Sequence, residues 1–306
     1  MKKLPKVIVI LGPTASGKTD LGLELAKKFN GEVISADSRQ VYKKMSIGTA
    51  KPAGVWQKES YIVAGISHHL MDIVDPSDDF SLSDYKALAN EKIKDVLSRK
   101  KLPIIVGGTG LYVQTLVDNL DIPKIPPNKD LREKLEQKTL PELVAMLEKI
   151  DQATAKKIDL KNPRRVLRAL EVCILSGKSF LQQQTKSKPL YDVLQIGINL
   201  PSEELYSRIN KRVDKQIADG LIEETKQLAA GYGWDLPSMS GIGYKQIGFY
   251  LRDQMSLAEA VELLKRDTRR YAKRQMTWFK RDRRIIWLEN PDKILAENLI
   301  QKFLSE

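Results

Sequence analysis

The sequence predicts an α/β protein whose parallel sheet is interrupted by a helical insertion, and three features of the chain support this fold class. The almost unbroken apolar run 6–11 predicts a buried parallel strand, and a helical pattern follows it. Further strands are predicted at 102–106 and 190–200. Between them, from about 119 to 189, nearly the whole chain is helix-forming.

The composition changes after residue 118, and this change sets the predicted domain boundaries. A proline-rich connection at 122–127 leads into helical segments bounded by proline and glycine. An insertion into an α/β core explains this order better than two tandem domains. We therefore predict a core made of residues 1–118 and 190–306 and a helical insertion domain at 119–189.

Length and composition limit the kind of protein. With 306 residues, of which 42% are hydrophobic, the chain can bury one large core or two modest ones. No apolar stretch approaches the roughly 20 residues of a membrane span, so a cytoplasmic protein is expected. The single cysteine, Cys173, excludes an internal disulfide, and its apolar neighbours predict a packed thiol.

The positive charge of the chain is unevenly distributed. The formal net charge is +12, and residues 265–284 hold ten Lys or Arg against two Asp, a local net charge of +8. Such a surplus on one predicted helix, 256–280, indicates a polyanionic partner, although a solvated basic face is the simpler alternative. Six of these cations recur three or four residues apart, so several share one face: Arg266, Arg269, Arg270, Lys273, Arg274 and Lys280.

The residues directly after the first strand form a glycine-rich phosphate-binding loop, the P-loop. Glycine lets the backbone turn its N–H groups inward, lysine supplies positive charge, and a threonine hydroxyl can bind Mg²⁺. Between a strand and a helix, this pattern predicts a P-loop NTPase-like fold and a site for phosphate or diphosphate. The loop comprises Gly12, Pro13, Thr14, Ala15, Ser16, Gly17, Lys18 and Thr19, with Thr19 as the candidate metal ligand.

Two further segments are predicted to lie near this loop. A strand that begins at Gly31 ends in polar residues including Asp37 and Ser38, which puts a carboxylate at the carboxyl edge of the sheet. The strand 102–106 ends in Gly107-Gly108-Thr109, where P-loop kinases and ATPases usually carry an acidic residue that helps hold Mg²⁺. This departure argues against an ordinary ATPase.

Residues 43–79 are predicted to be irregular because glycine and proline interrupt them repeatedly. They contain both histidines of the chain, His68 and His69. Adjacent side chains point in different directions on a strand or a helix, so a shared metal ion is not expected. We predict structural or hydrogen-bonding roles for this pair.

Six motifs, in order from about residue 6 to 290, give the chain a resemblance to a known family. Besides the P-loop they are Asp37-Ser38-Arg39-Gln40-Val41-Tyr42, Gly107-Gly108-Thr109-Gly110-Leu111-Tyr112, Asn162-Pro163-Arg164-Arg165-Val166, Gly241-Ile242-Gly243-Tyr244-Lys245-Gln246 and Lys273-Arg274-Gln275-Met276-Thr277-Trp278-Phe279. This set resembles the bacterial tRNA dimethylallyltransferases. The family transfers a dimethylallyl group from its diphosphate to N6 of adenosine 37 in tRNAs that read codons starting with U.

The resemblance implies roles for particular residues. The P-loop and Arg212 are implied to bind the diphosphate, Lys18 and Thr19 to take part in catalysis with Mg²⁺, and Asp37 to act as the general base. Residues implied to contact tRNA are Asp37, Ser38, Arg39, Gln40, Thr109, Arg132, Arg164, Arg165, Arg168, Gly243, Tyr244, Lys245, Lys273, Arg274, Gln275, Thr277 and Lys280. The expected partners are the tRNA anticodon stem-loop and dimethylallyl diphosphate, bound by a monomer.

Other functions remain open on the sequence. A P-loop kinase of a small metabolite shares the loop but normally carries the missing acidic residue. An adenylate isopentenyltransferase acting on free nucleotides shares the loop and Asp37, but it has no need of the basic helix. A non-catalytic RNA-binding protein has no need of Lys18, Thr19 and Asp37 together.

Overall fold

The computed structural model describes residues 3–123, 125–126, 128–183 and 185–306. Lys124 and Pro127 of the predicted proline-rich connection lie outside these residues. The described chain forms one eight-stranded sheet with helices packed against it. The strands are β1 (Lys6–Leu11), β2 (Gly31–Ser35), β3 (Val55–Gln57), β4 (Ser60–Val63), β5 (Ile66–His69), β6 (Leu102–Gly107), β7 (Asp192–Ile198) and β8 (Ile286–Leu288).

The strand order brings three loops to one edge of the sheet. The order is β3-β4-β5-β2-β6-β1-β7-β8, and neighbouring strands from β5 to β8 are parallel. In β1 and β6, Leu11 lies opposite Gly107, and β2 pairs with the other side of β6. Because parallel strands end at the same edge, the loops after β1, β2 and β6 are neighbours. The predicted α/β class is confirmed.

Most helices agree with the apolar spacing that predicted them. Ser81 begins the second helix with a capping box, since its hydroxyl accepts from the Asp84 N–H and the Asp84 carboxylate accepts from the Ser81 N–H. None of the helices in the described ranges has both the length and the apolar character of a membrane span. The helices are α1 (Lys18–Lys28), α2 (Leu82–Ser98), α3 (Gly110–Val117), α4 (Lys129–Glu136), α5 (Leu140–Ile150), α6 (Gln152–Ala155), α7 (Pro163–Ser176), α8 (Ser202–Ala218), α9 (Leu221–Tyr232), α10 (Tyr244–Leu251), α11 (Leu257–Phe279) and α12 (Lys293–Ser305).

The segment 43–79 differs from its prediction, because it contains β3, β4 and β5. These strands form antiparallel pairs, β3 with β4 and β4 with β5, at the edge of the sheet. All three residues of β3 are exposed, and each strand is only three or four residues long. Strands of three or four residues are too short to show the apolar alternation by which strands are recognised in a sequence.

Both histidines lie on β5 and are buried. His69 Nε2 lies 2.7 Å from Glu32 Oε2, and His68 Nδ1 lies 3.0 Å from the Ile66 carbonyl oxygen. The predicted hydrogen-bonding role is confirmed for this pair.

The strand that carries the P-loop is buried on both sides. Ile8 and Ile10 pack into a cluster with residues of α1, α8 and α12, whereas Val7, Val9 and Leu11 pack with residues of α2 and α3. All five side chains are completely buried. Each contributes about 1.5–3 kcal/mol to the free energy of unfolding, so β1 is a firmly held base for the loop.

The chain divides into two compact units, Met1–Val117 with Leu190–Glu306 and Asp118–Pro189. The second unit contains α4 to α7 around its own cluster of leucine, valine and alanine side chains. Cys173 is buried in this unit, and burial raises the pKa of its thiol to about 11. The cysteine is therefore a packed thiol, as predicted.

Candidate active site

The P-loop joins β1 to α1 in a conformation suited to binding an anion. Ala15 and Gly17 have φ angles of +64° and +88°, and alternation of this kind aims successive backbone N–H groups at one point. Gly17 is the N-cap of α1 and, as a glycine, has no side chain with which to cap the first turn. The N–H groups and the dipole of the helix start therefore favour a polyanion.

Two cations lie beside this loop. Lys18 Nζ donates to a P-loop carbonyl over 3.1 Å, and Arg212 of α8 donates from Nη1 to Thr14 Oγ1 over 3.4 Å. Burial lowers the pKa of Lys18 to about 8, against the opposing effect of Asp37 and with a further lowering by Arg212. Burial also lowers the pKa of Arg212. Two desolvated cations at one loop suit a multiply charged anion.

Asp37 follows β2, and its carboxylate stabilises the turn that it begins. Its Oδ1 accepts from the backbone N–H groups of Arg39 at 2.8 Å and Gln40 at 3.3 Å. The Ser38 N–H donates to Thr109 Oγ1 over 3.0 Å, which joins this turn to the loop after β6. Hydrogen bonds within the described ranges use only Oδ1 of Asp37, so Oδ2 can accept from a ligand.

The glycines after β6 are packed too closely to allow the acidic residue of a P-loop ATPase. A Cβ atom at Gly107 would lie 2.1 Å from the Ala36 carbonyl oxygen, and one at Gly108 would lie 2.4 Å from Gln275 Nε2. A side chain at Gly107 would displace backbone, whereas one at Gly108 would push aside the amide end of Gln275. Gly107 therefore reflects the close approach of the backbone after β2, and Gly108 leaves room for the Gln275 amide.

One cavity of about 420 Å³ joins these groups. Its size is within the range of small-ligand sites. The P-loop, Lys18, Asp37 and Arg212 line it with charge, and Val33 and Val106 line it with apolar surface. A charged group and a small apolar group can therefore be bound side by side.

The cavity also offers oxygen atoms that suit Mg²⁺. The buried Oγ atoms of Ser16 and Ser35 have no hydrogen-bond partner within the described residues, and Thr19 lines the same cavity. The described residues contain no cluster of three or more His, Cys, Asp or Glu side chains that could hold a metal ion. Mg²⁺ usually keeps several waters and binds few protein oxygens together with substrate phosphates, so this sparse set fits it.

Much of the positive charge of helix α11 and its C-terminal end is exposed to solvent. Lys265 pairs with Asp214 over 2.8 Å, but Arg270, Lys273 and Lys280 are exposed and have no ion-pair partner in the described ranges. The exposed, uncompensated cations therefore lie in the C-terminal half of this helix.

The model of a family described as IPP transferase matches residues 40–282 of the chain. This protein belongs to the IPP transferase family. A second family model, described as isopentenyl transferase, matches residues 5–59. The family resemblance predicted from the six sequence motifs is confirmed.

Relatives match almost the whole chain. The tRNA dimethylallyltransferase of Acetivibrio thermocellus is 46% identical over 98% of this chain and 96% of the relative. That of Anoxybacillus flavithermus is 43% identical over 98% and 95%. The solved tRNA isopentenylpyrophosphate transferase of Bacillus halodurans superposes with a TM-score of 0.71, 40% identity and coverage of 98% and 95%.

A eukaryotic dimethylallyltransferase acting on tRNA also resembles the chain. It superposes with a TM-score of 0.75 and 33% identity, over 90% of this chain and 69% of the other. Together these structures confirm the predicted P-loop NTPase-like fold.

Three residues that the resemblance implied to contact tRNA are buried. Tyr244 is 1% exposed and its hydroxyl donates to Glu224 Oε1 over 2.7 Å, and Gly243 beside it is buried. Gln275 is 6% exposed, and its amide oxygen accepts a hydrogen bond from the Thr14 N–H of the P-loop. Tyr244 and Gln275 line the cavity, and burial leaves all three residues little exposed surface, so direct contact with tRNA stays a prediction for them. A sequence motif does not distinguish the buried face of a helix from the exposed one.

Other predicted tRNA contacts lie at the cavity or on the surface. Arg39 donates to the Pro237 carbonyl over 2.9 Å, and Gln40 donates to the carbonyls of Thr49 and Ala50. Both side chains therefore fix loops that line the cavity. The residues of this group that are exposed are Lys245, Lys273, Arg274, Thr277 and Lys280, and those at the cavity or partly buried are Asp37, Ser38, Arg39, Gln40 and Thr109.

The arginines of the insertion domain are of two kinds. Arg132 and Arg168 both pair with the fully buried Glu171, over 2.8 and 2.5 Å. Burial, which alone would raise the pKa of Glu171, is outweighed by these hydrogen bonds, and the pKa is lowered. Arg164 and Arg165 are exposed. Contact with tRNA stays a prediction for all four, and Arg132 and Arg168 have a structural role in addition.

Tyr271 is a cavity residue that the sequence motifs did not single out. Tyr271 lines the cavity and hydrogen-bonds Thr109, and burial together with nearby Asp37 raises the pKa of its hydroxyl. Arg274 lies over its ring, 5.9 Å from the centroid. Only the packing of α11 against the sheet edge brings these residues together, so no local pattern could have revealed it.

Proposed function

We propose that this protein transfers the dimethylallyl group of dimethylallyl diphosphate to N6 of adenosine 37 in tRNAs that read codons starting with U, releasing diphosphate. The observation that carries the proposal is the single cavity that Asp37 shares with Lys18 and the P-loop. A base beside a polyanion site is what alkylation of an amine by an allylic diphosphate requires. The relatives named tRNA dimethylallyltransferase support the same reaction.

The leaving-group half of the reaction depends on positive charge. As the bond between C1 and the diphosphate oxygen breaks, negative charge grows on the diphosphate, and the allylic group delocalises the positive charge that remains. Lys18, Arg212 and the N–H groups of the P-loop lie where they can stabilise that growing charge. A donor placed in this way contributes about 2.7–4 kcal/mol to transition-state stabilisation.

The nucleophile half depends on Asp37. As the N6–C1 bond forms, N6 loses a proton, and Oδ2 of Asp37 accepts it. The backbone N–H groups of Arg39 and Gln40 donate to Oδ1 and fix the orientation of the carboxylate. Oδ2 is therefore already in position to accept the proton of N6. Orientation of a weak nucleophile and removal of its proton are thereby performed by one side chain.

Mg²⁺ is the proposed cofactor. When bound, it neutralises charge on the diphosphate and so makes it a better leaving group. Thr19 would hold it, and the buried hydroxyls of Ser16 and Ser35 line the same cavity. Water and phosphate oxygens would supply its other ligands.

The protein also has surfaces suited to the dimethylallyl chain and to the RNA. Val33, Met71 and Val106 line the cavity with apolar surface suited to a five-carbon chain. The adenosine must leave its stack to reach Asp37, which costs a few kcal/mol and less in a loop than in a duplex. Exposed Lys273 of α11 and Lys280 directly after it can hold the RNA through its phosphates during this step.

The proposal is tested by supplying the purified protein with Mg²⁺, dimethylallyl diphosphate and an unmodified anticodon stem-loop bearing A36-A37-A38. We expect one dimethylallyl group per RNA, located at N6 of adenosine 37 by mass spectrometry of the nucleosides, with release of diphosphate. The matched control RNA carries guanosine at position 37 and should remain unmodified. Prenylation of free AMP without reaction on the stem-loop, or phosphorylation of a metabolite by ATP, would contradict the proposal.

A further inference from the structure

Helix α11 has a buried polar side chain directly beneath its basic surface. Lys273, Arg274 and Thr277 are exposed, whereas Gln275 between them is 6% exposed. A buried amide must find hydrogen-bond partners inside the protein, because leaving it unpaired is costly. Gln275 itself lines the cavity, and its two partners are Thr14, which also lines it, and Gly108, the neighbour of the lining residue Gly107.

Gln275 joins two loops that belong to different strands. The backbone N–H of Thr14 donates to Gln275 Oε1 over 2.9 Å, and Gln275 Nε2 donates to the Gly108 carbonyl oxygen over 2.8 Å. Thr14 lies in the P-loop after β1, and Gly108 lies in the loop after β6. One amide therefore uses its acceptor on one loop and its donor on the other.

The sequence around this contact is shaped to admit it. A Cβ atom at Gly108 would lie only 2.4 Å from Gln275 Nε2, so the amide can approach this backbone because residue 108 has no side chain. Thr14 is also the residue whose hydroxyl Arg212 contacts. The amide thus holds the part of the P-loop that lies beside Arg212, a candidate cation for binding the diphosphate.

We infer that Gln275 is a positioning residue for the diphosphate half of the reaction and makes no contact of its own with tRNA. It holds Thr14 against the loop after β6, so that the P-loop keeps its anion-binding shape before the ligand arrives. Binding to a loop that is already ordered avoids the entropy of ordering it. This inference rests on the proposed function for its substrate, although its first test needs no RNA.

The test compares Gln275→Met with the wild type. Methionine has a similar volume and flexibility but neither donates nor accepts as the amide does. Titration calorimetry with inorganic pyrophosphate and Mg²⁺ should give a Kd about tenfold higher, the change that corresponds to one hydrogen bond of about 1.4 kcal/mol. The KM for dimethylallyl diphosphate should rise by a similar factor, while the Kd for the anticodon stem-loop stays within twofold.

Two control variants on the same helix make the pattern specific. Lys273→Gln, on the exposed side, should weaken stem-loop binding and leave pyrophosphate binding unchanged. Thr277→Val removes a hydroxyl that donates to the Lys273 carbonyl oxygen within the helix and makes no contact with the P-loop among the described residues, so it too should leave pyrophosphate binding unchanged. If Gln275→Met fails to fold by circular dichroism, Gln275→Asn replaces it, since its shorter amide cannot span both loops.

The inference is overturned if the Gln275 variant weakens stem-loop binding, which would return Gln275 to the RNA contacts, or if it leaves the pyrophosphate Kd unchanged. Failure of the proposed function would be seen separately, as a wild-type protein that binds pyrophosphate but prenylates no stem-loop.

Discussion

The two walls of the cavity are built in different ways. The leaving-group wall consists mainly of one continuous stretch, residues 12–19, to which α8 adds Arg212. The base wall, Asp37, Ser38 and Thr109, is assembled from the ends of two strands that are far apart in sequence. The first wall is specified locally and the second by the topology of the sheet. Changes in one wall should therefore have effects that changes in the other do not.

A large effect is expected for Lys18→Met in the leaving-group wall. Removing one charged donor from the developing diphosphate charge should lower kcat/KM for dimethylallyl diphosphate by about 10²–10³ and weaken pyrophosphate binding as well. Steady-state kinetics with excess stem-loop and calorimetry with pyrophosphate measure both effects. Lys18→Arg should restore part of the activity, because it keeps the charge. A Lys18→Met protein with wild-type pyrophosphate affinity would remove the distinction between the walls.

A smaller effect, outside both walls, is expected for the double variant Lys273→Gln/Lys280→Gln. Loss of two phosphate contacts should raise the stem-loop Kd about tenfold and lower the slope of log Kd against log salt by about two. Fluorescence anisotropy over a range of salt concentrations measures the slope. Arg132→Gln is a contrasting variant: its main effect should be a lower Tm, because Glu171 loses a partner. A wild-type salt slope in the double variant would show that the exposed face of α11 is only solvated.

The smallest effect is a pH dependence confined to the leaving-group wall. The pKa of Lys18 is lowered to about 8 by burial, so its charge is present below that pH and is lost as the pH rises through it. Pyrophosphate affinity should therefore fall several-fold between pH 7 and pH 9, where the charged fraction drops about tenfold for each pH unit above the pKa. Calorimetry at several pH values measures the change, and Lys18→Met corrects for titration of the ligand. Equal pH dependence in both proteins would rule out Lys18 as its source.

The difference between the walls also explains how much could be predicted from the sequence. Residues 12–19 were recognisable because their types and spacing serve the backbone conformation directly. The position of Asp37 followed from the rule that parallel strands end at one edge. Both predictions needed only local pattern and strand type.

What could not be predicted depends on which face of an element is buried. Gln275 and Tyr244 belong to motifs that indicate tRNA contact, yet both side chains are inside the protein. Arg132 has a buried acidic partner that lies 39 positions away in the sequence. The short strands β3 to β5 have too little apolar alternation to be recognised. In each case the missing information is a long-range contact, which residue types and spacing do not contain.

The central claim is that Asp37 performs a chemical step that is separate from binding, and Asp37→Asn tests it most directly. Asparagine keeps an oxygen for the N–H groups of Arg39 and Gln40 but removes the basic oxygen. Single-turnover transfer in a preformed complex should slow by about 10²–10⁴, with unchanged Kd values for pyrophosphate and for the stem-loop. An unchanged transfer rate, or a slower one explained entirely by weaker binding, would contradict the account.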